Sequence, residues 1–583
     1  MPTRQTLRAI WLALPFILTA CGAEESASPP AAADRVIVNA GIYTVDDANP
    51  RAEAVAIKGD SFIYVGDNDG VEAYIGDTTI VSDLGGRFVM PGIIDGHTHP
   101  GYIDIEGYDG SVSGETQEDF MASVRDAVEA NPGDDWLRLC CWPNHLFVAG
   151  SDGPHKRDLD AIVADRPVWI TSGTWHSSWL NSKALERIGV GIETPDPRRG
   201  IAVYHRDAEG ALTGWVKEGA GWQHFVTQFA VDEETHQKSV VAFLDTLSEH
   251  GVTTVYDGGN MGYDDYVYAF LARLEREGRL PLRYEGTYQI FVPDRRHTAV
   301  AEMKRLRDEY GGDRLKFRTI KLFMDGIHEN HTGSMLAPYV NDPIYAGETM
   351  LSVDELRDFL VELHEERFDL HIHTIGDLAV RAALDGIEAA RRAIGAGFYP
   401  RVTLSHLQSI HPQDTARFAE LDVSANFTPW WHGVDVNDVV ADALGPELAA
   451  LTYTARPLFD SGGNVTFSSD DWRLDVLNPF LGMQVGHVRQ YPADWVIEAG
   501  GGADAFRPPA TEKLELELMI RGYTINGAIP FRMEDRVGSI EAGKLADLVV
   551  LDVDPFDADP GELHRIKPSI VMMEGEILHG VLD

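Results

Sequence analysis

Asp95-Gly-His97-Thr-His99 closes an apolar run, Phe88-Val-Met-Pro-Gly-Ile-Ile94. Side chains alternate along an extended strand, so His97 and His99 point to the same side. Two imidazoles on one face, at the end of a buried strand, supply half of a divalent-metal site. An isolated His-X-His is equally a polar loop edge, and the later segments decide between the two. Lys321 lies in Thr319-Ile-Lys-Leu-Phe-Met-Asp-Gly326, His373 in His371-Ile-His-Thr-Ile-Gly-Asp377, His406 in Thr403-Leu-Ser-His-Leu-Gln408 and Asp470 in Phe467-Ser-Ser-Asp470. Each is a polar residue toward the end of an apolar segment, where burial is costly unless the group is paired or coordinated. Six such residues on five segments point to one shared metal centre. His371 shares the face of His373 by period two and competes with it as a ligand. Asp471 follows Asp470 but points to the other face.

The segments that must position these residues alternate strand and helix. Strand candidates are residues 88–98, 252–258, 282–290, 317–325, 368–375, 401–408, 422–429 and 464–470. Amphipathic helical patterns separate several of them, at 264–277, 298–310, 353–367 and 378–394. Eight strands alternating with helices predict an α/β chain built on a (β/α)8 barrel, with its site at the C-terminal strand ends. Residues 104–235 interrupt the alternation and are expected as a large insertion after the first strand, covering the barrel mouth. Short alternating strands at 34–88 and again at 530–583 predict a small β-sandwich built from both chain ends, leaving 89–529 for the barrel.

At 583 residues the chain is too long for one simple core. Its net charge of −43, from 49 basic and 92 acidic residues, disfavours nucleic acid as a partner. The charge is spread along the chain and reads as a solvated acidic surface. Arg4 and Arg8 precede an apolar stretch, Ala9 to Leu18, that is short for a membrane span. Leu18-Thr-Ala-Cys21 resembles the lipobox of bacterial lipoproteins. That resemblance implies a signal peptide over 1–20, acylation of Cys21, a tether over 21–33 and a periplasmic or outer-membrane location. The lipid anchor is the only membrane contact expected. Cys140 and Cys141 are adjacent, and disulfide geometry is hard to meet across one peptide bond, so buried packing is expected.

These motifs, in this order, resemble the metal-dependent amidohydrolase superfamily, and within it the subgroup that includes N-substituted formamide deformylases. The resemblance begins at Pro91-Gly-Ile-Ile-Asp-Gly-His-Thr-His-Pro100 and passes through His176-Ser-Ser-Trp-Leu-Asn-Ser-Lys-Ala-Leu185. It continues in Lys321-Leu-Phe-Met-Asp-Gly-Ile-His-Glu-Asn-His-Thr332 and His373-Thr-Ile-Gly-Asp377, and ends in Gly538-Ser-Ile-Glu-Ala-Gly-Lys-Leu-Ala-Asp547. It implies that His97 and His99 bind the more buried metal, that His373 and His406 bind a second, and that Asp470 ligates metal and shuttles protons. One or two divalent ions per chain, with zinc the first choice, are implied. Lys321 is then a candidate for a carbamate bridging two ions, since an unmodified ammonium would repel them; the alternative pairs it with Asp325. The implied reaction is hydrolysis of an amide or formamide-like carbon–nitrogen bond in a small molecule by metal-activated hydroxide. His176 is a candidate donor to the carbonyl or a substrate contact. Asn330, His331 and Trp430 are candidate substrate contacts, with His328 and Glu329 weaker ones, and Trp175, Trp179 and Trp431 are candidates to line an apolar pocket. Two rivals stay open: a mononuclear deaminase of the same superfamily, and a non-catalytic binding lipoprotein.

Overall fold

Eight segments of parallel strand carry the centre of the structure, a computed structural model that describes residues 31–105, 107–147, 153–342, 345, 347–433, 439–502 and 505–582. The leader, Cys21 and most of the expected tether lie outside the described residues. Ile93–Thr98 pairs in parallel with Val252–Asp257, which pairs with Arg283–Gly286, which pairs with Leu315–Phe317. A second parallel sheet runs Gln289–Ile290, Thr319–Phe323, Asp369–Thr374, Val402–His406, Val423–Phe427, Val465–Phe467. The two sheets share chain segments: Arg283–Gly286 leads into Gln289–Ile290, and Leu315–Phe317 into Thr319–Phe323. At the other edge Val465–Phe467 lies against Ile93–Thr98, and the Asp470 N–H donates to the His97 carbonyl at 2.8 Å. Every one of the eight expected strand regions therefore holds parallel strand. The helices fall within two residues of the expected bounds, at Asp264–Arg276, Ala299–Tyr310, Val353–Glu366 and Asp377–Ile394.

Local chemistry explains those bounds. Helix Val353–Glu366 opens on a capping box: Ser352 Oγ accepts from Glu355 N–H, and the Glu355 carboxylate accepts from Ser352 N–H at 2.8 Å. Leu356, Phe359, Leu360 and Leu363 then bury one stripe at helical spacing, and Arg367 ends the helix in the left-handed region at φ 60°. The stripe packs on helix Asp377–Ile394.

One boundary differs from the expectation. The apolar run 88–98 is two strands, not one. Phe88–Pro91 joins a sheet with Gly41–Tyr43 and with Leu548–Leu551 from the C-terminus, whereas Ile93–Thr98 joins the parallel sheet. Gly92 is the hinge: a Cβ there would lie 2.6 Å from Thr253 Oγ1, so only glycine lets the chain pass between sheets. The terminal strands form two sheets, one of four strands and one of six, over a shared core that includes Ile37, Ile42, Val55, Leu548 and Met572. Buried Arg283 ties this terminal unit to the parallel strands, gripping Asp547 through both terminal nitrogens (2.5 and 3.0 Å) and Glu574 at 3.0 Å. Removing one member of a buried ion pair leaves an uncompensated charge, so Arg283→Ala is expected to lower unfolding stability by about 3–5 kcal/mol in denaturant titration.

The expected insertion has its own sheet, spanning Gly110–Ser111 to Leu212–Lys217, and its own core around Trp142, Trp179 and Trp215. Trp179 is fully buried there, which corrects its expected place in a substrate pocket. Among the described residues no helix is long and apolar enough to cross a membrane.

Candidate functional site

The polar residues at the strand ends converge. Among the described residues, His97, His99 and Asp470 bring ligand atoms within 4.8 Å of one another. Asp470 Oδ1 lies 3.5 Å from His97 Nε2 and 3.3 Å from His99 Nε2, and its Oδ2 lies 3.0 Å from His406 Nδ1. Lys321 Nζ sits 3.0 Å from His97 Nε2, and the His373 and His406 rings are 4.3 Å apart between centroids. All six residues line one cavity of about 600 Å³.

Each imidazole at this centre is tethered through one nitrogen, which is how a ligand histidine is normally oriented. His99 Nδ1 faces the Gly259 carbonyl at 3.4 Å, and His373 Nε2 the Gly326 carbonyl at 3.1 Å. His97 Nδ1 lies 2.9 Å from His371 Nε2. His406 is the exception: its Nδ1 faces the Asp470 carboxylate at 3.0 Å, and its buried Nε2 has no hydrogen-bond partner. Buried imidazole nitrogens without partners are costly, and coordination of a cation supplies the missing partner. The donor set of imidazoles and one carboxylate therefore fits a divalent ion.

The electrostatics agree. Burial drives His97, His371 and His373 well below the ordinary histidine range and His406 down to about 4, leaving neutral rings with lone pairs to offer. Burial also lowers Lys321 to about 7. Burial alone would raise Asp470, but the surrounding imidazoles outweigh it and hold the carboxyl well below its usual range. Asp95, of the first motif, braces the centre from beneath: its Oδ1 accepts from His97 N–H at 3.2 Å and Ser469 N–H at 3.0 Å, joining the first and last strand ends.

Backbone strain gathers at the same place. His406 (φ 71°), Asp470 (φ 44°), Trp175 (φ 65°) and Glu218 (φ 53°) all occupy the left-handed region without being glycine. At Gly258 a Cβ would collide with the rings of His97 and His99, so glycine is required where the second strand ends.

Several expectations are corrected. His371 shares a face with His373, but it lies one layer deeper, stacked on Tyr256, and it holds His97. It is a positioning residue, and His371→Ala is expected to weaken metal affinity about 10–100-fold in competition with a chelator. Lys321 makes no ion pair with Asp325 among the described residues. Asp325 instead accepts from the Ile375, Gly376 and Ser334 N–H groups at 2.8–2.9 Å. Asn330 and His331 do not line the cavity. Asn330 is fully buried and binds the His176 carbonyl and Glu218, while His331 stacks on Tyr339. His328 is likewise buried, between the Tyr339 hydroxyl and Ser409 Oγ. Trp430 does line the cavity, held by donation from its indole N–H to the Ser469 carbonyl at 2.7 Å, and Trp175, Trp431 and Glu329 line it too. Asp471 is drawn aside by Arg473 at 3.0 Å. Cys140 and Cys141, expected as buried packing, are half-buried and form part of the cavity wall.

His176 lines the cavity from the insertion, 5.6 Å from His373 between ring centroids. Its Nδ1 lies 2.5 Å from the carboxylate of Glu218, a residue that no motif or spacing singled out. Burial alone would lower His176, but the Glu218 charge and hydrogen bond outweigh it and raise it.

Parallel strands whose C-terminal ends gather imidazoles, a lysine and a carboxylate around one cavity define a metal-dependent hydrolase. Residues 81–579 match the Amidohydrolase family, and the chain belongs to that family: it is a hydrolase acting on carbon–nitrogen bonds. It is similar to the N-substituted formamide deformylase of Arthrobacter pascens, 24% identical over 574 residues that cover 93% of this chain and 97% of that protein. It is 29% identical over 430 residues to the exoenzymes regulatory protein AepA of Pectobacterium carotovorum subsp. carotovorum, covering 71% of this chain and 89% of that one. An uncharacterized metal-dependent hydrolase from Pyrococcus horikoshii OT3 shares the fold, with a TM-score of 0.64 at 22% identity, over 90% of this chain and 99% of that one.

Proposed function

We propose that this chain cleaves an amide or formamide-like bond of a small, non-polymeric molecule at a divalent-metal centre held by His97, His99, Lys321, His373, His406 and Asp470. The observation that carries this reading is the convergence of His97, His99 and His406 on the Asp470 carboxylate, with His406 Nε2 buried and unpartnered. The ion, zinc by the donor set, supplies Lewis acidity that lowers the pKa of water and polarises a carbonyl. Asp470, at the strand end facing the cavity, accepts the proton of the attacking water and returns it to the leaving nitrogen, as base and then acid. His176 donates from the opposite wall to the carbonyl oxygen as charge develops there. Lys321, lowered to about 7 by burial, has an uncharged amine available for carbon dioxide, and a carbamate there would turn a repulsive cation into a bridging anion for two ions.

The two parallel sheets read as one closed (β/α)8 barrel, because shared segments join them on one side and Val465–Phe467 meets Ile93–Thr98 on the other. The terminal sheets read as the composite sandwich. Trp430 is retained as a substrate contact. The lipobox-like leader supports attachment to a bacterial envelope through Cys21.

A deaminase with one ion would use a carboxylate just after the fifth-strand histidine. Here that position offers Asp377, whose Oδ1 is occupied by the Leu336 N–H at 2.8 Å. Product analysis on zinc-loaded protein separates the readings. Amine plus carboxylic acid released from a panel of N-formyl and N-acyl amines is the expected result. Ammonia from amino-heterocycles, with no amide cleavage, would replace it with the deaminase.

A further inference from the structure

We infer that Glu218 is a positioning residue that fixes His176 as a hydrogen-bond donor to the substrate carbonyl, so that the insertion contributes a working part of the site. The inference rests on the proposed hydrolysis. Ser177–Leu180 and Leu212–Lys217 are antiparallel neighbours, with Ser177 opposite Lys217. One residue further along, the Glu218 N–H donates to the His176 carbonyl at 2.8 Å, which sets the two residues face to face. Glu218 then leaves the strand conformation at φ 53° and ψ −143°, as N-cap of helix Gly219–Gln228. Its side chain, almost fully buried, reaches the His176 Nδ1.

The carboxylate is itself held from the barrel side. Thr332 Oγ1 donates to Glu218 Oε1 at 2.6 Å and Asn330 Nδ2 donates to the same oxygen at 3.2 Å, so Oε2 is left for the imidazole. Asn330 also donates to the His176 carbonyl at 3.0 Å and accepts from Lys217 Nζ through its own carbonyl at 2.9 Å. The loop after strand Thr319–Phe323 thus clasps both residues of the pair, which explains why Asn330 is buried. With Nδ1–H donated to the buried Glu218 carboxylate, the ion pair favours the doubly protonated ring, and Nε2–H is its free donor edge. Trp222 and Phe323 flank that ring, at 5.5 and 6.4 Å between centroids, and it faces the cavity beside His373. A donor held in one orientation before substrate arrives needs no reorganisation as negative charge develops on oxygen. A strained residue carrying a buried carboxylate is a costly way merely to join two strands, and its place beside the cavity gives the strain a use.

The test compares wild type, Glu218→Gln, His176→Ala and the double variant on 4-nitroformanilide, with metal content measured for each. Glu218→Gln keeps shape and hydrogen-bonding capacity but removes the charge that orients the ring. It is expected to lower kcat about 10–100-fold with KM little changed and metal content intact. His176→Ala is expected to lower kcat by about 10²–10³-fold. Glu218→Gln should add almost nothing in the His176→Ala background, because its effect passes through that ring. An equal loss in both backgrounds, or full activity in Glu218→Gln, overturns the proposal. A second readout needs no turnover: a proton resonance far downfield of the amides, from the Nδ1–H shared with the carboxylate, should be present in wild type and absent in Glu218→Ala and His176→Ala. If wild type fails on 4-nitroformanilide, it is the hydrolysis reading that suffers on that probe. The resonance then decides this proposal, and its absence from wild type overturns it.

Discussion

Asp470→Asn is expected to lower the rate of amide hydrolysis by about 10²–10⁴-fold, the range for losing a positioned general base. Asparagine keeps the size of the side chain and can still meet His406, but it cannot take a proton from water. The structure makes this residue hard to replace. Its backbone N–H is tied to the His97 carbonyl, and three imidazoles surround its carboxylate at 3.0–3.5 Å. The neighbour Asp471 is engaged by Arg473 and by the Trp472 N–H, so it cannot take over. Steady-state kinetics together with metal content check the prediction. An unchanged rate would remove Asp470 from the proton pathway.

Lys321→Ala is expected to reduce bound metal by one ion per chain and the rate about 100-fold or more, a loss of several kcal/mol of transition-state stabilisation. The ammonium of an unmodified lysine has donors only and would compete with a cation. Burial with no acidic partner at pairing distance among the described residues leaves it 3.0 Å from His97 Nε2, within the centre. Acetate or propionate in the buffer is expected to restore part of the activity of Lys321→Ala by filling the vacated space with a carboxylate. Elemental analysis and kinetics, with and without the added acid, are the measurements. Metal content and rate indifferent to the substitution would exclude the carbamate.

Much of this was legible in the sequence because strands have a fixed period and the parallel strands end on one side. His97, His99, Lys321, His373, His406 and Asp470 were each found as a polar residue ending an apolar run, and they line one cavity. Period two, however, reports a face and not a depth. That is why His371 was indistinguishable from a ligand, though it sits a layer lower and supports His97. The run 88–98 looked continuous because both of its strands are apolar; only the close approach of Thr253 at Gly92 marks the division. Asn330 and His331 sit in an irregular loop, where no periodicity assigns a direction, and they turn away from the cavity. Glu218 was invisible for a related reason. Its role depends on a cross-strand neighbour 42 residues away and on a left-handed backbone at a non-glycine residue. A buried glutamate at the end of the apolar stretch Leu212-Thr-Gly-Trp-Val216 was the only available signal.

The most direct test is to strip the protein with a chelator, reload it with zinc in the presence of bicarbonate, and follow metal content and amide hydrolysis together. Hydrolysis is expected to disappear with the metal and to return in proportion to the ion restored, to a plateau set by His97, His99 and Asp470. Protein that binds no metal after reconstitution, or that hydrolyses amides equally well without it, would rule out the metal centre as the seat of hydrolysis.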